Sequence, residues 1–360
     1  RAGRYIRSVL SASVLLILSA VAAPDVSWAQ RVPPPGPGPG PGPGPGPGPT
    51  PTPTPGGGGD PYTPAASTAS LGQFLDMTAA TFVQHQLGFA SGFGTFVSPT
   101  RKLRHTDHDG LRDTATGIRG PSFDIDEGSV FANGSYDVPG TVFGGRVRVS
   151  GLAGYAHLSQ DVSLPGNFET KMDMAVYGGS YLWTSGTFYT MSVIIGLDGE
   201  ADARNGGDAY DFDVAGYFTN SVVGNTFELA QGWKFDLRGG VGYYDVESDR
   251  YVVPGDAGTS KAVAEAWNAS LTGTLFTLVE VGGGTMRPYL LGAYKRTFDE
   301  EIEILGANPA SYEQADDYGK AEIGFDYVQG AVTYGAAGYS EFSADDTTFG
   351  LRLGASVKLQ

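Results

Sequence analysis

The last twelve residues constrain the fold more than any other part of the chain. Phe349, Leu351, Leu353, Ala355, Val357 and Leu359 alternate with Gly350, Arg352, Gly354, Ser356, Lys358 and Gln360. A period of two belongs to a β-strand, whose successive side chains leave opposite faces of the sheet. The same period recurs in Trp233, Phe235, Leu237, Gly239, Val241 and Tyr243, in Tyr189, Met191, Val193, Ile195 and Leu197, and in Ala321, Ile323, Phe325 and Tyr327. In each case the opposite row is charged, polar or glycine-rich. A soluble barrel would turn the apolar rows inward, and a membrane barrel would turn them toward lipid. Alternation alone does not choose between the two.

Connection lengths choose. The pattern predicts strands over 85–97, 128–137, 142–158, 171–183, 187–199, 209–228, 232–247, 262–279, 285–298, 315–328, 331–342 and 346–360. Long joins (98–127, 159–170, 200–208, 248–261, 299–314) alternate with short ones such as Val138-Pro139-Gly140-Thr141, Thr184-Ser185-Gly186 and Gln329-Gly330. Long loops at one end and tight turns at the other are the habit of outer-membrane barrels. Beyond residue 23 no run approaches the ~20 apolar residues of a spanning helix, so a membrane location requires a barrel. The predicted class is all-β: a transmembrane antiparallel β-barrel of about twelve strands.

The front of the chain differs in kind. Arg1, Arg4 and Arg7 precede an apolar stretch from Val9 to Ala23, and Ser27-Trp28-Ala29 offers small residues for cleavage. Residues 1–29 therefore read as a secretory signal cut after Ala29, with Ala23 as the alternative. Residues 30–66 are dominated by Pro-Gly and Pro-Thr dipeptides. Their period is two rather than three, so they do not form collagen, and they predict an extended linker. Residues 67–360 are the expected barrel domain. At its start Ser70 and Gln73 suggest a capping box, and Leu71, Phe74, Leu75, Thr78, Phe82 and Val83 share a helical face. These predict a short helix over 70–84, placed in the lumen.

A signal segment, a helix directly before the first strand, twelve strands and a terminal apolar alternation together resemble the translocator domain of autotransporters, over about residues 67–360. Phe227-Glu228-Leu229 through Gly232-Trp233-Lys234-Phe235-Asp236-Leu237 resembles that family's turn between neighbouring strands. The resemblance implies that Phe349, Leu351, Leu353, Ala355, Val357 and Leu359 are read by the barrel assembly machinery. It also implies residence in the bacterial outer membrane, in contact with its lipid and lipopolysaccharide. The chain departs from the family in ending on Gln360 rather than an aromatic residue, and in having only the linker where a folded passenger would lie.

Few constellations suggest chemistry. Without Cys there is no thiol nucleophile and no Cys-bound metal. A net charge of −16 argues against nucleic acid as a partner. His105, Asp107, His108 and Asp109 crowd the loop after Arg101, but their spacing matches no calcium loop or zinc motif. His157 has serines nearby without a nucleophile signature. No catalytic residue, metal or cofactor is therefore expected. The inward charges are the expected functional lining: Arg146, Arg148, Lys234, Asp236, Arg238, Lys320, Glu322, Asp326, Arg352 and Lys358. On this reading Leu353→Arg harms the barrel far more than Arg352→Leu. The function expected is anchoring or display of the short N-terminal segment. An open diffusion channel and a surface enzyme using the 101–127 loop are the alternatives.

Overall fold

The computed structural model describes residues 62–87, 93–105, 112–115, 123–162, 168–205, 208–252, 258–307, 309–313, 317–343 and 346–357. The signal segment, most of the Pro-Gly tract, residues 106–111 and residues 358–360 lie outside them. Among the described residues one α-helix, α1 (Tyr62–Leu87), precedes twelve long strands. These are β1 (Phe93–His105), β2 (Phe123–Asp137), β3 (Arg146–Val162), β4 (Phe168–Ser185), β5 (Phe188–Asn205) and β6 (Asp208–Glu228). They continue with β7 (Trp233–Ser248), β8 (Ser260–Thr277), β9 (Gly284–Gly306), β10 (Asp317–Gln329), β11 (Val332–Phe342) and β12 (Asp346–Val357). Each pairs antiparallel with the next, and β12 returns to β1 in a register running from Val357↔Phe93 to Asp346↔His105. The sheet is thus a closed ring with no free edge among its twelve staves.

The outer surface identifies the medium. Leu237 and Val241 on β7, Ile323 and Phe325 on β10, and Leu351 and Leu353 on β12 are all exposed, while Asp236, Arg238 and Glu322 between them are buried. Apolar outside and charged inside is the inverse of a soluble barrel. Exposed aromatic residues gather at two levels. Tyr155, Tyr177, Trp267 and Tyr294 lie toward the long-loop end, and Phe188, Phe227, Trp233 and Tyr334 toward the short-turn end. On β7, Trp233 and Tyr243 are ten residues apart. At a rise of ~3.4 Å and a tilt of ~40° that is roughly 26 Å, the height of an outer-membrane barrel's apolar band.

The abundant glycine has a packing role in this wall. The ring of Tyr339 on β11 lies against Gly350 on β12, and that of Tyr189 on β5 against Gly224 on β6. In both places a Cβ would collide with the ring, so a large aromatic group on one strand requires glycine on the next.

The structure corrects several expectations. The helix is longer, starting at Tyr62 inside the stretch assigned to the linker and ending at Leu87 inside the stretch assigned to the first strand. Ser70 is not a cap: its hydroxyl donates to Ala66 O at 2.7 Å, in mid-helix. Consequently β1 begins at Phe93 and runs through Arg101–His105, which the sequence placed in a loop. At the long-loop end the strands continue past the aromatic level, so the join between β5 and β6 shrinks to residues 206–207. The row Tyr189, Met191, Val193, Ile195 and Leu197 on β5 faces inward and is buried, while Ile194 is exposed. The reason is α1, whose apolar side chains pack against this part of the wall.

Leu353→Arg would place a charge in the lipid-facing row at a cost of ~2–4 kcal/mol. The yield of barrel that migrates differently in boiled and unboiled samples should fall for Leu353→Arg and hold for Leu353→Phe.

The helix-filled lumen as candidate functional site

A helix at the surface of a protein buries one stripe; α1 buries nearly its whole circumference. Ala65, Leu71, Phe74, Leu75 and Phe82 are inaccessible, and so are Thr63, Ser67 and Thr68, with Ser70 nearly so. Burial of polar groups is tolerable only when they are hydrogen-bonded. Within α1, Ser67 Oγ donates to Thr63 O at 2.9 Å and Thr68 Oγ1 to Ala65 O at 3.0 Å. The longer polar side chains instead find partners on the surrounding wall.

Those partners occur at three levels. Near the long-loop end, Ser67 Oγ lies 3.0 Å from Gln160 Oε1 of β3, whose Nε2 donates to Ser70 Oγ at 3.4 Å. Midway, Asp76 forms an ion pair with Lys295 of β9, and Gln73 Nε2 donates to Tyr318 Oη of β10 at 3.0 Å. Near the short-turn end, Arg238 Nη2 of β7 donates to Gln84 Oε1 at 2.9 Å, and Ser150 Oγ of β3 to Gln86 Oε1 at 2.8 Å. The last carbonyls are held by guanidinium groups, Gln86 O by Arg148 and Leu87 O by Arg287, each at 3.4 Å. Cations at a helix C-terminus satisfy orphan acceptors and oppose the negative end of the dipole. The helix therefore runs from the long-loop end to the short-turn end inside the ring. It passes Tyr244 closely at Gly72, where a Cβ would collide with the ring.

The lumen has two unlike halves. On β4, β5 and β6 the inward residues include Met172, Met174, Val193, Ile195, Val214 and Phe218, all buried. From β9 through β12 the wall is a charged network. Arg352 Nη2 reaches Glu322 Oε1 at 2.6 Å and Tyr289 Oη at 2.7 Å, and Tyr289 Oη donates to Glu322 at 2.8 Å. Lys320 lies 3.6 Å from Glu322 and 3.2 Å from Glu341, and Arg287 lies 2.7 Å from Asp326. On β7, Arg238 pairs with Asp236 at 3.1 Å, which also accepts from Tyr189 Oη at 2.9 Å.

Of the ten charges singled out in the sequence, Asp236, Arg238, Lys320, Glu322, Asp326 and Arg352 enter these networks. Arg148 holds the helix end and pairs with Asp137 at 2.7 Å. Lys234 pairs with Glu228 at 3.2 Å, Arg146 is exposed, and Lys358 lies outside the described residues. The sequence places Gln73, Asp76 and Gln84 on the polar side of the helix, able to meet lumen charges such as Arg146 and Arg238; sequence reasoning missed Arg287, Lys295 and the tyrosines Tyr189 and Tyr289. The signal was present in Arg287, Tyr289, Leu291, Ala293 and Lys295, an inward row of β9 with a cation at each end. The loop with His108 and Asp109 lies outside the described residues. His157 is on the exterior, with Nδ1 at 2.8 Å from Asp173.

A closed antiparallel barrel with an apolar exterior, aromatic girdles and a lumen-spanning helix defines an outer-membrane β-barrel. Solved structures similar to it include autotransporter translocator domains. The transport unit of the autotransporter AIDA-I from Escherichia coli matches with a TM-score of 0.64 and 10% identity, covering 82% of this chain and 99% of that one. The translocator domain of NalP from Neisseria meningitidis matches with 0.63 and 11%, again covering 82% and 99%. The beta domain of the Bordetella autotransporter Brka matches with 0.57 and 14%, covering 74% and 99%. The chain thus has the translocator fold. No protein-family model and no curated protein matches its sequence.

Two outcomes follow. Gly72→Leu should displace α1 from Tyr244, with an overpacking cost of ~1–3 kcal/mol and a lowered unfolding temperature in detergent. Arg352→Leu leaves Glu322, 1% exposed, without its closest cation, at a cost of about 3–5 kcal/mol. It should therefore destabilise the barrel about as much as Leu353→Arg, contrary to the order expected from sequence; denaturation in guanidinium gives the comparison.

Proposed function

We propose that this is an integral outer-membrane protein that anchors and displays the segment preceding α1. The observation that carries this reading is the passage of α1 through the lumen, tied to the wall at three levels with its N-terminus toward the long-loop end. With the long loops outside the cell, chain N-terminal to Tyr62 emerges at the surface. A Pro-Gly and Pro-Thr stretch as long as residues 31–59 has a maximum reach on the order of 80 Å at ~3 Å per residue.

The remaining assignments fit this scheme. Residues 1–29 are a signal removed after export, and the Pro-Gly tract is a spacer. The terminal row Phe349, Leu351, Leu353, Ala355, Val357 and Leu359 is the recognition signal for the barrel assembly machinery. Arg146, Arg148, Lys234, Asp236, Arg238, Lys320, Glu322, Asp326 and Arg352 line the lumen, and Arg148 and Arg238 hold the end of the helix. Membrane lipid and lipopolysaccharide contact the apolar exterior. The function is anchoring rather than catalysis, and the helix argues against a freely open channel.

A factor Xa site inserted after Gly59 should be cleaved by protease added to intact cells. Cleavage only after lysis would place the segment in the periplasm and overturn display. In planar bilayers, deletion of residues 30–87 should raise single-channel conductance severalfold. Unchanged conductance in a correctly folded deletion variant would reject the plug.

A further inference from the structure

Among the described residues the lumen is not filled at its short-turn end. Beside the last turn of α1 lies a cavity of about 510 Å³, lined in part by Gln84, Gln86 and Leu87 of the helix and by wall residues contributed from β2 to β9. That volume suits a small molecule. Its charge is opposite to that of the chain. The sequence has 39 acidic and 23 basic residues. The cavity instead presents Arg146, Arg148, Lys234, Arg238 and Arg287 against Asp137, Glu228 and Asp236.

The five cations are of two kinds. Arg238 and Arg287 are locked in buried pairs with Asp236 and Asp326 and also hold the helix end. Arg148 and Lys234 are paired with Asp137 and Glu228, whose side chains are 60% and 76% exposed. Ion pairs with such exposed partners contribute little, so an incoming anion displaces these carboxylates at small cost. Arg146 makes no ion pair among the described residues and is exposed. Arg146, Lys234 and Arg148, the last also bonded to Gln86 O, therefore face one cavity with no buried counter-ion, and the two locked cations add positive potential behind them. The negative end of α1 would oppose an anion here, but Arg148 and Arg287 cover its terminal carbonyls.

We propose that this cavity binds a small oxyanion, a phosphate- or carboxylate-bearing solute entering from the short-turn mouth. Arg146 and Arg148 supply planar guanidinium donors and Lys234 a mobile point charge. Leu182 and Phe276 on the same wall accommodate an apolar portion of the ligand. The site stands at the opposite end of α1 from the displayed segment and does not depend on display.

The test is isothermal titration of the full chain, folded in zwitterionic detergent at low salt, with inorganic pyrophosphate as the probe. Wild type should bind with a Kd of about 1 mM or tighter. Arg146→Glu combined with Lys234→Gln should weaken binding about tenfold or more while leaving heat-modifiable migration intact. These two positions are chosen because neither touches α1 in the network above. Should the pair fail to fold, Arg146→Gln alone makes the same comparison at an exposed, unpaired position. Absence of wild-type binding up to ~10 mM, or equal binding in the folded variant, would overturn the proposal.

Discussion

Everything in this structure depends on the rule that a backbone crossing hydrocarbon must satisfy its own hydrogen bonds. Lipid offers no partner for a free N–H or C=O, so an open sheet is excluded and a ring is required. The pairing of β12 with β1 completes that ring from Phe93↔Val357 to His105↔Asp346, with a register shift between Val97 and Thr100. Once it is closed, each strand has two faces in different media, and the alternation of Leu351, Arg352 and Leu353 acquires its meaning. The outer residue meets lipid, and the inner one must be paired or hydrated.

Closure creates a second demand, which is to fill the interior. Here α1 fills it, and the two halves of the wall answer the two sides of the helix. Phe74, Leu75 and Phe82 belong to the same buried cluster as Met174, Ile195 and Phe218. Gln73, Asp76 and Gln84 meet Tyr318, Lys295 and Arg238. A purely apolar lumen would hold a helix without fixing its depth. The polar contacts set the register, because sliding α1 by one turn would separate Asp76 from Lys295 and leave a buried carboxylate without its cation. The depth of α1 in the lumen thus rests on a few polar pairs placed in an otherwise apolar contact.

The charged network of β9 to β12 serves the wall itself. Glu322 receives Arg352, Lys320 and Tyr289, three groups from three strands. Such a cluster ties neighbouring staves together on the side where the helix offers no apolar face. The oxyanion cavity follows from the same arrangement: where α1 ends, Arg148, Arg238 and Arg287 hold its last turn, and Arg146 beside them is left exposed.

How much of this was legible in the sequence depends on whether the signal is local. The twelve strands were, because pleating forces a period of two on any strand with unlike faces, and Phe349 to Val357 shows it without reference to a partner. A helix ahead of the first strand was legible for the same reason, in the spacing of Leu71, Phe74, Leu75 and Phe82. Its extent was not, since Tyr62 to Ala69 and Gln84 to Leu87 are held by contacts with the wall rather than by local caps. Nor was the facing of each row. Leu353 and Met191 sit in similar apolar alternations, yet one is exposed and the other buried. Alternation is unchanged when inside and outside are exchanged. Only the tertiary structure, by placing α1 against β5 and leaving β12 toward lipid, decided which apolar row met the helix and which met the membrane.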